Sequence, residues 1–248
     1  YIRDMCAAYK RAIDEEYGGN GLVLYASKAF SCKAVYRIVQ EEGIGVDVVS
    51  GGELYTALQA GFPAEKIYVH GNNKLRSELE FSVESGVGAI VVDAYSELDA
   101  LDEICAEKGV VQDILIRVNP GVEAHTHHFI KTAKTDSNFR FSIADGSAEK
   151  IAKYALGKKN LALQGFHSHI GSQIFEMQSF KLAAEKLLTF AAQLRENTGF
   201  EAAKLNLGGW FGIWYTDDDA KQSVADYAEN LKSLLREVSV LADRKGLR

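Results

Sequence analysis

What most constrains this chain is a pulse of short apolar runs, each leading into a helical pattern. The runs are Leu22–Ala26, Val46–Ser50, Lys66–His70, Ala89–Asp93, Asp113–Asn119, Leu161–His169 and Lys204–Leu207. Their starts lie 24, 20, 23, 24, 48 and 43 residues apart. The first four intervals fit a strand, a loop and a helix of roughly ten residues. The last two leave room for an extra excursion or a longer helix. Several runs, such as Ala89-Ile90-Val91-Val92 and Ile114-Leu115-Ile116, are apolar without alternation. Strands buried on both faces read this way, as in parallel sheets covered by helices. Seven βα units fit an α/β fold of the (β/α)8 TIM-like barrel type, which needs eight, and a doubly wound sheet is the competing arrangement.

Helix boundaries follow from local chemistry. Ile2, Met5, Tyr9 and Ile13 give Ile2–Tyr17 a helical spacing that ends at Gly18-Gly19-Asn20-Gly21. Ser50 is placed to cap a helix that Gly61 stops, and Ser96 to open one that Gly109 ends. Met177–Thr198 and Ser223–Arg244 read as longer amphipathic helices. No linker divides the 248 residues, so residues 1–248 are expected to form one barrel domain. After Gly246 the sequence stops where an eighth strand would begin, and an unclosed barrel exposes strand edges. The expectation is therefore an incomplete domain in a longer natural polypeptide. Tyr1 in place of a start methionine points to a processed, truncated or partly observed product.

Composition narrows function by exclusion. A net charge of -6 argues against non-specific nucleic-acid binding, which needs a positive field. No apolar run approaches the ~20 residues that span a bilayer, and no signal-peptide pattern opens the chain. A cytoplasmic location and no membrane partner are expected. Cys6, Cys32 and Cys105 are too few and too scattered for a disulfide framework or a tetrahedral metal site.

In a barrel the site forms at the C-terminal strand ends. That rule gathers Lys28, Asp47, His70, Asp93, Arg117, Asn119, His167, His169, Ser172 and Gly208-Gly209 at one mouth. Lys28 reads either as a surface lysine or as an amine able to form a Schiff base. Asp47 is a helix-start carboxylate or a group that orients that lysine. His167 and His169, two apart on a strand, share a face. They suit zinc, a planar cofactor, or a hydrogen-bonded structural role. His125, His127 and His128 form a second histidine group, better read as a surface loop, and no metal is expected. Gly208-Gly209 suits a phosphate-binding turn or simple packing. Neither a dinucleotide fingerprint nor a Walker sequence is present.

Several motifs then match a known family in order. They are Tyr25-Ala26-Ser27-Lys28-Ala29-Phe30, Val46-Asp47-Val48-Val49-Ser50-Gly51-Gly52-Glu53-Leu54 and His70-Gly71-Asn72-Asn73-Lys74. Arg117-Val118-Asn119-Pro120-Gly121-Val122, Gly165-Phe166-His167-Ser168-His169-Ile170-Gly171-Ser172-Gln173 and Leu205-Asn206-Leu207-Gly208-Gly209 complete the set. Over nearly its whole length the chain resembles the pyridoxal-phosphate-dependent decarboxylases built on the alanine-racemase-like barrel. The resemblance implies pyridoxal 5'-phosphate as cofactor, held covalently by Lys28. It places Asp47 beside that lysine, His169 against the pyridine ring and Arg117 on the ring's oxygen side. Ser172, Gly208 and Gly209 would hold the phosphate. His70, Asn72, Asn119 and His167 would lie behind the site or near substrate.

The resemblance also implies an enzyme, a carboxy-lyase acting on a small amino acid and working as a homodimer with shared active sites. Decarboxylation of meso-diaminopimelate to L-lysine is the activity implied most directly. Arginine or another basic amino acid is the alternative, as is a catalytically impaired homologue, with a metal-dependent hydrolase further off. The sequence departs from the family pattern at Leu75, Asn138, Arg140, Trp210 and Trp214. The family's eighth strand and flanking β domain are expected to be absent from this chain.

Overall fold

A computed structural model describes residues 1–122, 141–209, 211–214, 217, 219 and 221–247. Eight helices are described: α1 (Ile2–Tyr17), α2 (Lys33–Glu41), α3 (Gly51–Gln59), α4 (Arg76–Ser85), α5 (Tyr95–Lys108), α6 (Ser147–Leu156), α7 (Met177–Thr198) and α8 (Val224–Arg244). They alternate with β1 (Leu24–Ala26), β2 (Gly45–Val48), β3 (Ile67–Val69), β4 (Ala89–Val92), β5 (Gln112–Asn119), β6 (Phe141–Ser142), β7 (Leu161–His167) and β8 (Lys204–Asn206). Every ladder is parallel.

Strand order separates the two arrangements that periodicity left open. The path runs β1-β2-β3-β4-β5-β7-β8, with neighbours following chain order. A doubly wound sheet would reverse direction at a switch point; this one winds one way, as a barrel does, and forms a (β/α) half-barrel. The expected absence of an eighth strand is corrected, because eight strands are present. The unanticipated strand is β6, whose Phe141 and Ser142 pair with Val118 and Asn119 at the end of β5. Two residues carry no periodicity, so sequence pattern passes over them. No ladder joins β8 to β1 among the described residues.

The outward-facing strand residues build the main core. Val46, Val48, Ile67, Val69, Ile90, Val92, Ile114, Ile116 and Phe166 pack with Val35, Leu54, Leu79, Leu101, Ile151 and Leu187 from the surrounding helices. A second cluster around Ile174, Phe180 and Leu234 ties α7 to α8. Helix α8 also meets α1, with Lys232 2.5 Å from Glu15 and Arg236 2.7 Å from Glu16.

Most boundaries fall where the local signals put them. The Ser50 hydroxyl accepts from Glu53 N–H at 3.2 Å to start α3, and Ser223 does the same for α8 through Asp226 at 3.2 Å. Ser96 is a correction: α5 begins at Tyr95, with Ala94 at the cap position. Glu97, in the first turn, accepts from Asp93 N–H at 3.0 Å and so fixes the chain just ahead of the cap position. Among the described residues, no helix is long and apolar enough to cross a membrane. The three cysteines are free.

Candidate active site

Alternation along the strands separates a helix-facing side from an inner side. Asp47 and Val49, Tyr68 and His70, Leu115 and Arg117, and His167 and His169 are each two residues apart, and all line one cavity of about 2350 Å³. Lys28, in the tight turn Ser27–Ala29 just after β1, lines the same cavity. So do Asn72, Asp93, Ser172, Gly208 and Gly209. Because every strand is parallel, these groups converge on one end of the sheet. Asn119 does not join them: it is buried, and its Oδ1 accepts from Gly121 N–H at 2.9 Å, shaping the turn after β5. His125, His127, His128, Asn138, Arg140 and Trp210 lie outside the described residues.

A bulge decides where the two histidines point. Ile114 pairs with Leu163, but the next residue, Leu115, pairs with Gly165, so Gln164 is an extra residue in β7. In an unbulged strand Leu161, Leu163, Gly165 and His167 would share one face. The inserted residue keeps Leu163 and Phe166 both in the helix-facing core and turns His167 inward beside Arg117. Gln164 is held by Asp113, to which it donates at 2.9 Å. Gly165 has φ 151°, and a Cβ there would meet Lys204 O at 1.9 Å. Only glycine allows β8 to approach so closely.

The turn carrying Lys28 is anchored from below. Fully buried Ser27 donates to Glu53 at 2.5 Å, and Glu53 also accepts from Val49 N–H at 2.9 Å. One carboxylate thus ties the end of β1 to the loop after β2. That role was invisible in the sequence, where Glu53 reads simply as a first-turn acid.

Behind the lysine is a buried polar cluster. His70 Nε2 lies 3.6 Å from Asp47 Oδ1. The His70 and His167 rings meet edge-on, with centroids 4.6 Å apart at 75°. Burial pushes the Asp47 carboxyl up to about 7; Lys28 and Arg117 oppose the rise, and Glu53 reinforces it. Burial holds the His70 imidazole well below its usual range, helped by Arg117, Lys74, Lys28 and His169. The Arg117 Nε lies 3.8 Å from Asp93 Oδ1. Lys74, quoted in a motif above but assigned no role, is buried and lies 2.7 Å from Glu97. It also donates to Gly71 O at 2.5 Å and Val91 O at 2.8 Å, pinning the loop that follows His70.

The glycine turn stands against His169. Gly208 has φ 75°, and a Cβ there would lie 2.5 Å from Ser168 O and 3.3 Å from the His169 Nδ1. A side chain at 208 would displace the ring. Asn206 Oδ1 fixes the turn by accepting from Gly208 N–H at 2.8 Å. A Cβ at Gly209, by contrast, would meet nothing within 4 Å. An amine, a carboxyl, a guanidinium, a flat imidazole and an open glycine turn therefore share one cavity, and this donor set fits a planar phosphorylated aldehyde such as pyridoxal phosphate. Two described departures from the family pattern lie at the surface. Leu75 is exposed at the cap position of α4, and the Trp214 ring is covered by the Lys221 ammonium 4.4 Å from its centroid.

Comparison with known proteins agrees with this geometry. The family described as "Pyridoxal-dependent decarboxylase, pyridoxal binding domain" matches residues 2–245. A diaminopimelate decarboxylase of Halalkalibacterium halodurans is 49% identical over 93% of this chain and 52% of its own length. One of Bacillus subtilis is 45% identical over 95% of this chain and 54% of its own. Among solved structures, a diaminopimelate decarboxylase from M. jannaschii in complex with L-lysine superposes with a TM-score of 0.84 at 33% identity. That alignment covers 97% of this chain and 56% of that one. The chain spans about half the length of the curated relatives it matches.

Proposed function

The chain belongs to the pyridoxal-dependent decarboxylases, within their pyridoxal binding domain, and from that membership we propose that this protein decarboxylates meso-diaminopimelate to L-lysine. The observation carrying the substrate assignment is the 49% identity to a diaminopimelate decarboxylase across more than nine-tenths of the chain. The convergence of Lys28 and His169 on one cavity supports the chemistry.

Bound pyridoxal phosphate supplies a conjugated ring that takes up the electron pair left when the α-carboxylate departs. The protein's own groups do the rest. The Lys28 amine would hold the cofactor, and it is the group placed to carry a proton to or from the substrate's α-carbon. Asp47 stabilises positive charge on that amine. His169, backed by Gly208, would offer a flat face to the ring, and Arg117 would contact its oxygen side. Ser172 and the Gly209 amide, in the turn that Gly208 shapes, would receive the phosphate. His167 and His70 support these groups from behind, and Asn72 stands at the rim toward substrate.

Residues 1–248 act in this reading as one domain contributing to a (β/α)8 barrel. The protein works in the cytoplasm as a homodimer whose partner completes the substrate pocket. The test is carbon dioxide release by the full-length protein with pyridoxal phosphate, offered meso-diaminopimelate, arginine, ornithine and lysine in parallel. Release from meso-diaminopimelate with matching L-lysine formation is expected. Release from arginine or ornithine alone would move the protein to another branch, and no release from any of them would mark an impaired homologue.

A further inference from the structure

The Asp47–His70 contact is not explained by packing. Asp47 Oδ1 and His70 Nε2 are both buried, and neither has a hydrogen-bond partner among the described residues. They face each other across 3.6 Å, about 0.4 Å beyond the usual limit of an N–H···O hydrogen bond. Two buried polar atoms so placed each lack what the other can supply. The His167 ring packs edge-on against the His70 ring, and His70 is itself buried.

The charges around the pair define what His70 can be. The charges acting on it are those of Arg117, Lys74, Lys28 and His169, and those acting on Asp47 are Lys28, Glu53 and Arg117. A protonated His70 would add another cation to an already cationic, desolvated cluster. A neutral imidazole with its proton on Nε2 can still donate one hydrogen bond while adding no charge. A lysine or arginine at this position could not do that.

We propose that His70 is a positioning residue acting through Asp47: its Nε2–H donates to Asp47 Oδ1 and keeps that carboxyl charged and aimed at the Lys28 amine. The inference rests on the assignment of Lys28 as the cofactor-bearing amine. Donation to the carboxylate favours its charged form. Without His70, Asp47 takes up a proton at higher pH, and the Lys28 ammonium loses its counter-charge over the working range. Lys28 then becomes reactive toward electrophiles at lower pH.

The test uses the full-length protein freed of cofactor. Reaction of Lys28 with trinitrobenzenesulfonate is followed against pH by peptide mapping. In H70L the midpoint should fall by about one pH unit, the effect of one hydrogen bond to a charged group. H70Q, which keeps an N–H donor at similar reach, should restore most of the shift. In parallel, nuclear magnetic resonance of 13C-labelled histidine should show His70 neutral from pH 5.5 to 8.5. Its resonance should carry a step near pH 7, where Asp47 titrates, and D47N should abolish it. Matching midpoints in H70L and wild type would overturn the proposal, as would a His70 ring that protonates in this range or ignores residue 47. If H70L does not fold, H70Q and the D47N spectrum decide. Borohydride trapping of cofactor on wild-type Lys28 is scored separately. Failure there removes the assignment of Lys28 itself, whereas trapping with matching midpoints removes only the role of His70.

Discussion

Replacing Asp47 by asparagine removes a carboxyl that the fold holds where ionising it is costly. Burial raises that carboxyl from 3.8 to about 7 despite the opposing influence of Lys28 and Arg117. A gap of about three units at 1.36 kcal/mol each corresponds to at most about 4 kcal/mol. The direction follows from proton counts. Between pH 4 and 7 the folded protein keeps a proton on Asp47 that the unfolded chain has lost. Rising pH therefore favours unfolding through this group. Asparagine has the shape of the neutral acid and no such linkage. Urea unfolding of the cofactor-free protein should show D47N gaining on wild type by up to about 1.4 kcal/mol per pH unit from pH 4 to 7, then levelling off. A difference independent of pH, or one growing above pH 7, would refute the assignment of a raised carboxyl.

Three further outcomes follow from the same coordinates. K74M leaves Glu97 buried without its cation and should destabilise the protein by about 3–5 kcal/mol in urea unfolding, with E97Q added in cis recovering part of the loss. Deleting Gln164 removes the bulge but leaves Leu115 opposite Gly165 and Arg117 opposite His167, so His167 should stay inward and cofactor binding measured by absorbance should persist in the soluble fraction; its loss would contradict this reading of the register. Leu75 precedes a Glu78 carboxylate that already accepts from the Leu75 N–H at 3.0 Å. L75S should complete the reciprocal cap and raise the urea midpoint by an amount equivalent to about 0.5–2 kcal/mol.

The repeat of strand and helix was legible because it is written in local residues. α7 runs from Met177 to Thr198, where the amphipathic pattern placed it, and Ser50 caps the helix it was expected to cap. The inward set was legible in outline, since strand ends in a parallel sheet share an edge. The bulge at Gln164 was not, because it exists only as a mismatch between two strands distant in sequence. β6 was missed because two residues have no period. Ser96 misled because α5 begins one residue earlier, at Tyr95, which puts the serine inside the first turn rather than at the cap. The pairing of His70 with Asp47 was likewise beyond reach: each was placed at the mouth, but the partnership depends on how β2 and β3 sit against one another. Departures at Leu75 and Trp214 touch exposed positions and leave the inner face intact.

The central claim is that the Lys28 amine and the His169 ring embrace a single pyridine. It is tested most directly by borohydride reduction of the full-length protein with pyridoxal phosphate, followed by digestion and mass mapping. One phosphopyridoxyl group per chain is expected, carried on the peptide containing Lys28 and absent from K28A. A reduced adduct on a different lysine, or one that persists in K28A at wild-type yield, would contradict it.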